Sequence, residues 1–305
     1  MSVREIASGL LFPEGPIALP DGSILLVEIA RGTLTRVWGN GKSEVVAVLG
    51  GGPNGAAMGP DGAVYVCNNG GFEWHDAGGL KIPGDRPHDY SGGRIERVDL
   101  KTGKIERLYS DCDGLKFCGP NDLVFDKHGG FYFTDLGKGY GRLHDRGAVY
   151  YATADGKMVK EIIFPLDQPN GCGLSPDEKT LYVALCQNGR LVSFDIVSPG
   201  VIGPRTGPFN GHCVCGLPGL QYFDSLAVEA DGRVCVATIA FPTGGISAIK
   251  PDGTYEQTSF ADPLVTNICF GGKDQKTAYV CLSGTGKLVE TQWPRAGLKP
   301  NYSGW

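Results

Sequence analysis

The sequence predicts an all-β protein, a six-bladed β-propeller with four-stranded blades. Three observations lead to this fold class. A motif in which an acidic or amide residue stands just ahead of an apolar run occurs six times along the 305 residues. The copies lie 40 to 67 residues apart, which is the scale of one propeller blade. Glycine and proline number 48 and 20, and no long stretch shows the 3.6-residue period of an amphipathic helix.

Each repeat carries the signals of consecutive hairpins. An inner apolar run is followed by a turn, such as the one at Asp21 and Gly22 or at Asp231 and Gly232, and then by a second alternating run. Two further strand-like runs follow in most repeats, as in GRIERVDL and KIERLYS, which are separated by a turn at residues 101–103. Six repeats of four strands therefore account for the chain, and we interpret residues 1–305 as a single domain.

The two ends of the chain are out of phase with the repeats. The sixth repeat stops after its third strand, near GKLVETQW, and the chain begins with VREIASGL, which resembles the fourth strand of the other repeats. We therefore expect the N-terminal segment to supply the missing outer strand of the last blade. Such pairing closes the ring and removes its open edge.

Two predicted loops are longer than ordinary turns. Residues 69–92 lie between the second and third strands of blade 2, and residues 136–146 lie at the same place in blade 3. Phe72, Trp74 and Tyr90 argue against disorder in the first loop, and long ordered loops are usually functional. Two interpretations remain open for it: a lid over the axial site, or a contact between molecules.

The residues that open the inner strands form the candidate site. A closed ring brings these positions together at the mouth of the central channel. They are Glu14, Asn54, Asn121, Asn170, Asp224 and Asn267. Carboxylate and amide oxygens suit one divalent cation, with Ca²⁺ the first choice and Mg²⁺, Mn²⁺, Zn²⁺ or Fe²⁺ as alternatives. We assign Glu14, Asn170 and Asp224 to the cation, and Asn121 and Asn54 to substrate or water.

An ordinary structural role is the alternative for each asparagine. Asn and Asp before a strand often bond to their own backbone in turns. That explanation does not account for Glu14, because Glu forms such turns poorly. A Glu, Asn and Asp set at equivalent positions therefore favours a binding site.

Four motifs carry a resemblance to a known family. They are PEGP at 13–16, GPNDLVFDKHGGFYFTD at 119–135, PNGCGLSPDEKTLYVA at 169–184 and FDSLAVEADGRVCVAT at 223–238. Over nearly its whole length the chain resembles the SMP-30/gluconolactonase/LRE-like family. The resemblance implies a six-bladed propeller that binds one divalent cation and, in many members, hydrolyses lactones. It also implies that Glu14, Asn170 and Asp224 are the metal ligands, that Asn121 contacts substrate, and that Asp224 donates and accepts protons.

The expected function is metal-dependent hydrolysis of a lactone, with a sugar-acid lactone such as gluconolactone as the first choice. One departure concerns the substrate: sugar-lactone hydrolysing members often carry Arg two residues before the equivalent of Asn121, where this chain has Gly119. His75, in the long loop, is a further candidate for substrate contact. The alternative function is a non-catalytic, metal-binding propeller that serves as a platform for a ligand or a protein.

Composition argues against other partners and other kinds of site. A net charge of −5 without a basic block disfavours nucleic acid, and no apolar run approaches the roughly 20 residues that span a bilayer. No signal peptide is evident, so we expect a cytoplasmic protein, monomeric or a small homo-oligomer. The ten cysteines are expected to remain free. Cys213, Cys215 and His212 lack the partners of a zinc site.

Overall fold

The prediction of a six-bladed propeller is confirmed. The computed structural model describes residues 2–204 and 211–304. Six antiparallel sheets form the blades, and each blade runs from an inner strand at the channel to an outer strand. Within the described residues there is no helix.

The strands of each blade are given from the channel outwards. Blade 1 contains Pro13–Ala18, Ile24–Glu28, Thr33–Trp38 and Lys42–Val48; blade 2 contains Pro53–Met58, Val64–Asn68, Arg94–Val98 and Ile105–Tyr109; blade 3 contains Pro120–Phe125, Gly130–Asp135, Gly147–Thr153 and Val159–Leu166. Blade 4 contains Pro169–Leu174, Thr180–Leu185, Arg190–Ser198 and His212–Gly216, with Val201–Ile202 also paired to its third strand; blade 5 contains Tyr222–Val228, Val234–Ile239, Gly245–Ile249 and Tyr255–Ser259. Blade 6 contains Val265–Gly271, Thr277–Leu282, Lys287–Gln292 and the N-terminal Val3–Ala7.

Three two-stranded hairpins lie outside the blades. They pair Trp74–Ala77 with Leu80–Pro83, Asp111–Cys112 with Leu115–Lys116, and Gly139–Tyr140 with Leu143–His144. The first and third lie within the two long loops that the sequence predicts, between the second and third strands of blades 2 and 3.

The N-terminal strand closes the ring as predicted. Val3–Ala7 pairs antiparallel with Lys287–Gln292, and Arg4 forms an ion pair with Glu290 at 2.7 Å. Ile6 is buried in the apolar cluster between blades 6 and 1. The first and last parts of the chain are therefore joined by both backbone hydrogen bonds and core packing.

The core lies between the blades. Alternating side chains of each sheet pack against the next blade, and six apolar clusters fill the six gaps of the ring. The gap between blades 2 and 3 is the most aromatic; Tyr65 there contacts Phe125 with ring centroids 5.0 Å apart. Because every blade is packed on both faces, the strands that carry the candidate site are held rigidly.

The C-terminal segment crosses the end of the channel opposite the candidate site, a feature that the sequence did not reveal. Trp293 donates its indole N–H to Glu229 at 2.7 Å, and Leu298 N bonds to Val228 O. Further on, the side chain of Asn301 donates to Phe125 O at 3.1 Å. A cavity of about 250 Å³ lies between this segment and the inner strands.

Candidate metal centre at the mouth of the channel

An irregularity in strand pairing begins just after the candidate position in blade 1, spans it in blades 2 to 5, and ends at it in blade 6. In blade 1 the register shifts between Glu14 and Ile17, and in blade 4 it shifts between Pro169 and Cys172. The other four inner strands have the same feature at the corresponding place. A bulge re-aims the side chains beside it, and bulges are frequent next to functional sites. The repeated sequence motif therefore corresponds to a repeated backbone distortion.

Glycines bring neighbouring candidate positions together. A Cβ atom on Gly15 would lie 2.7 Å from Asn54 O, and one on Gly55 would lie 2.5 Å from Asn121 O. A Cβ on Gly171 would likewise lie 2.8 Å from Asp224 O. No side chain fits at these distances, so glycine allows the inner strands to approach closely. The Glu-Gly and Asn-Gly pairs in the motif thus have a steric reason.

One carboxylate oxygen of Glu14 accepts hydrogen bonds, and the other accepts none. The residue is 1% exposed. Its Oε2 accepts hydrogen bonds from Gly15 N at 2.8 Å and from Asn267 Nδ2 at 2.6 Å. Its Oε1 is buried and has no hydrogen-bond partner. A buried carboxylate oxygen without a partner is costly, and this one is available to a cation.

Asn170 and Asp224 lie side by side across the junction of blades 4 and 5. Oδ1 of Asn170 accepts a hydrogen bond from Ser225 Oγ, the residue next to Asp224, at 3.5 Å. The backbone O of Asn170 accepts from Thr134 Oγ1 at 2.5 Å, which fixes the strand from the blade 3 side. Oδ1 of Asp224 accepts from Ser225 N at 3.0 Å. Asp224 is only partly buried and reaches the cavity.

Burial makes both carboxyl groups hold their protons more tightly. The pKa of Glu14 is raised well above its ordinary value by burial and then by the charge of Asp224. Burial raises the pKa of Asp224 to about 7. The adjacent Asp122, buried beneath the site, also has its pKa raised to about 7 by burial. Two ionised carboxylates at this place repel each other unless a positive charge is present.

The donor set fits a hard cation. It contains two carboxylates and amide oxygens, and Oδ1 of Asn121 is another buried oxygen without a partner. Among the described residues, no cluster of three or more His, Cys, Asp or Glu side chains forms. A site built from these residues therefore depends on amide oxygens beside Glu14 and Asp224, as Ca²⁺ sites commonly do.

A cavity of about 340 Å³ opens above these residues. Its floor includes Glu14, Asn54, Asn121, Asn170 and Asp224, so five of the six predicted positions meet there. Asn267 does not line this cavity. The metal and substrate assignments of these residues stay predictions.

His75 lies elsewhere. It is exposed on the hairpin of the first long loop, paired with Ile82, and is not among the residues that line the cavity. His144, in the second long loop, does line it and shares a hydrogen bond with Gln168 at 2.7 Å. The role of His75 in substrate contact stays a prediction without support from its position.

The first long loop lies over the mouth of the channel. Lys81 N bonds to Gly284 O of blade 6 at 3.0 Å, although the loop leaves from blade 2. The ring of Trp74 packs on Phe12 with centroids 5.2 Å apart. On the other side, Arg86 N bonds to Gly139 O of the blade 3 loop at 2.9 Å. The position agrees with a lid, and the loop is anchored on both sides of the mouth.

Lys138 ties the two long loops together, and the sequence did not single it out. Its Nζ donates to Gly71 O at 2.6 Å and to Asn69 Oδ1 at 3.1 Å, and it lies 3.3 Å from the centre of the Phe72 ring. The residue is 2% exposed and lines the cavity. Burial lowers its pKa to about 7. The only sequence signal was its place in an unusually long loop.

Comparisons with known proteins agree with the geometry. Residues 12–284 match the family described as SMP-30/Gluconolactonase/LRE-like region. A gluconolactonase of Zymomonas mobilis is 28% identical over 95% of this chain and 81% of its own length. Lactonase drp35 of Staphylococcus saprophyticus is 32% identical over 76% of this chain, and the match spans 65% of that relative, just under two thirds of it.

Solved structures agree in fold. A gluconolactonase of Xanthomonas campestris superposes with a TM-score of 0.73 at 20% identity, covering 96% of this chain and 89% of that one. The calcium-binding protein regucalcin of Agrobacterium tumefaciens gives a TM-score of 0.70 at 18% identity, covering 96% and 94%. At these identities the likeness concerns the fold alone. The match over residues 12–284 shows that the chain belongs to the SMP-30/gluconolactonase/LRE-like family.

Proposed function

We propose that this protein is a metal-dependent lactonase, which hydrolyses a cyclic ester to the hydroxy acid. The observation that carries the proposal is the pair of acids at the channel mouth, Glu14 and Asp224, with one buried oxygen of Glu14 left without a partner. A cation bound by Glu14, Asn170 and Asp224 would relieve both the repulsion and the missing contact. The names of the relatives, gluconolactonase and lactonase, support the same reaction.

Ca²⁺ is the first choice for the cation, because all the donors are oxygens and the site offers amides beside two carboxylates. The calcium-binding neighbour in the same fold supports this choice. Mg²⁺, Mn²⁺, Zn²⁺ and Fe²⁺ are alternatives that metal analysis distinguishes. When bound, such an ion supplies Lewis-acid polarisation of the ester carbonyl and of water.

Asp224 is the proposed base. Its carboxylate accepts a proton from the attacking water as the water oxygen bonds to the carbonyl carbon. When the ring C–O bond breaks, the same proton passes to the departing ring oxygen, so Asp224 returns to its starting state. Without a cation, burial raises the pKa of Asp224 to about 7, and a bound cation would lower it, so that the carboxylate would be ionised at neutral pH and able to accept a proton. Asp224 therefore has to stay close enough to water to exchange protons, which its partial exposure allows.

Asn121 and Asn54 are the proposed substrate contacts. Oδ1 of Asn121 has no partner within the protein, so it can accept a hydrogen bond from a substrate hydroxyl. The cavity of about 340 Å³ has room for a sugar-acid lactone, which we take as the first substrate to test. Gly119 occupies the position where many sugar-lactone hydrolases carry Arg, so hydroxyl recognition here has to come from other cavity residues.

The cellular setting is part of the proposal. All ten cysteines are free, which supports a reducing compartment such as the cytoplasm. In the part of the chain that the structure describes, no helix has the length and apolar character needed to span a bilayer. The net charge of −5 argues against nucleic acid as a partner.

The test is acid release from a panel of lactones, measured with purified protein before and after chelation and after each metal is restored. We expect hydrolysis of at least one lactone, loss with chelator, and recovery with Ca²⁺ or another divalent ion. Metal analysis of the untreated protein identifies the bound ion. If metal-replete protein hydrolyses no lactone in a broad panel, the non-catalytic binding platform replaces the enzyme.

A further inference from the structure

Asn267 occupies the sixth equivalent position but differs from the other asparagines in its contacts. Its Nδ2 donates to Glu14 Oε2 at 2.6 Å, and its Oδ1 accepts from Ile268 N at 2.7 Å. The residue is 5% exposed. Both polar ends of the side chain are therefore engaged within the protein.

The contrast with Asn121 assigns different roles to two residues in equivalent positions. Oδ1 of Asn121 is buried without a partner and faces the cavity, whereas Oδ1 of Asn267 is bound to the backbone of its own strand. Asn267 does not line the cavity, and its Nδ2 donates to the carboxylate of Glu14 instead.

We propose that Asn267 is a positioning residue that holds Oε2 of Glu14, so that Oε1 is presented to the cation. The inference rests on the proposed metal site. Glu14 has several side-chain rotamers, and fixing one of them before binding avoids an entropy cost at the moment of binding. The hydrogen bonds from Gly15 N and from Asn267 Nδ2 converge on one oxygen and leave the other bare.

Asparagine is suited to this task because it is a neutral donor. An Asp at the same place would have no N–H for Oε2 and would add a third negative charge beside Glu14 and Asp224. A Lys or Arg would neutralise Glu14 and compete with the cation. The amide orients the carboxylate without changing the charge of the site.

Blade 6 supports the same arrangement from behind. Ser283 Oγ donates to Pro13 O at 2.6 Å, and it shares a hydrogen bond with Thr266 Oγ1 at 2.5 Å. Thr266 and Ser283 are both fully buried. These contacts hold Pro13 and Thr266, the residues directly before Glu14 and Asn267, so the amide of Asn267 meets the carboxylate of Glu14 in one geometry.

The test is the affinity of full-length protein for Ca²⁺, measured by competition with a fluorescent chelator. Outer contacts to metal ligands typically contribute 10- to 100-fold in affinity, so we expect Asn267→Ala to weaken Ca²⁺ binding by about that factor. Asn267→Asp should weaken it at least as much, despite the added negative charge, because it loses the donor. Asn301→Leu, at the opposite end of the channel, is the matched control and should leave the affinity unchanged.

Two further measurements separate positioning from general destabilisation. The melting temperature of each metal-free variant shows whether it folds, and a purely structural role would lower this temperature without changing the affinity of the folded protein. In a Glu14→Ala background, which removes the acceptor of the Asn267 hydrogen bond, Asn267→Ala should have no further effect on Ca²⁺ affinity, because the two residues act through one contact.

The possible failures are distinguishable. Wild-type protein that binds none of the tested divalent ions contradicts the proposed function itself. Wild-type protein that binds Ca²⁺, together with a folded Asn267→Ala variant of equal affinity, overturns the positioning role alone. Additive effects of Glu14→Ala and Asn267→Ala would also overturn it.

Discussion

Replacement of Asp224 by Asn should have opposite effects on turnover and on the stability of the metal-free protein. Asn keeps the shape of the side chain and can still accept the hydrogen bond from Ser225 N, which is 3.0 Å long in the wild type. It loses the charge and the ability to take a proton. Loss of a general base typically lowers the rate by about 10²–10⁴-fold, so we expect that loss at saturating metal.

The effect on stability follows from the pKa of Asp224. Burial raises this pKa from 3.8 to about 7, so the folded state holds the proton more tightly than the unfolded chain does. The free energy of unfolding therefore falls as pH rises from about 4 to about 7, and the loss is complete above that range. Each pKa unit corresponds to about 1.4 kcal/mol, which sets an upper limit of about 4 kcal/mol for the whole shift.

We expect about half of that limit, because Asp224 is partly exposed to the cavity and its titration depends on Glu14. For a chain of 305 residues, a gain of about 2 kcal/mol raises the melting temperature by about 3 °C. The Asp224→Asn variant should thus melt higher than wild type at pH 8 in the presence of chelator. The difference should shrink towards pH 4, where wild-type Asp224 is protonated in the folded state.

The two assays are calorimetric melting in chelator at several pH values and acid release from a hydrolysed lactone at saturating metal. Asp89→Asn, which changes an exposed carboxylate, is the matched control and should alter neither result. An Asp224→Asn protein with near-normal turnover at saturating metal would remove Asp224 from proton transfer. A melting difference that is independent of pH would refute the reasoning from burial.

Two other predictions concern the loops and the closure of the ring. Lys138 is buried against Asn69, Gly71 and Phe72, with the carboxylate of Asp135 nearby. Burial lowers its pKa to about 7, so between about pH 7 and 10 the folded state has released a proton that the unfolded chain still holds. Stability should therefore rise between about pH 7 and 10, by up to about 1.4 kcal/mol per pH unit, and chemical denaturation of Lys138→Met should lack this rise. Deletion of residues 2–7 removes the outer strand of blade 6 and exposes its cluster, so we expect a melting temperature lower by several degrees. Arg4→Ala should lower the melting temperature less than the deletion does, because it removes only an exposed ion pair, and an unchanged melting temperature on deletion would contradict the closure argument.

Much of the fold was predictable because local signals repeat. A turn after the inner run, alternating runs and the motif at each inner strand recur from blade to blade, so the assignment of one copy is checked against the others. The out-of-phase ends were equally informative, and Val3–Ala7 pairs with Lys287–Gln292 as expected. The convergence of five of the six motif positions on one cavity follows from the same symmetry.

The residues that the sequence did not reveal depend on contacts between distant segments. Lys138 became notable only when the blade 2 loop was seen to lie over its Nζ. The C-terminal segment has no repeat to which it can be compared, and its path depends on Glu229, which accepts from Trp293. His75 illustrates the converse: it lies in a loop over the cavity, but on a strand whose last three residues are all exposed, and it does not line the cavity.

The six equivalent positions show how a symmetric fold acquires an asymmetric site. The backbone treats them alike, with a bulge beside each one, so symmetry cannot decide which side chains bind a cation. The decision comes from what each neighbour donates: Glu14 receives two hydrogen bonds on Oε2, and Asn267 uses its amide to provide one of them. Asn121 receives none on Oδ1 and stays available. In such a ring, the hydrogen bonds that neighbours donate therefore distinguish an oxygen that is left bare, as on Glu14 and Asn121, from a side chain that is engaged at both ends, as Asn267 is.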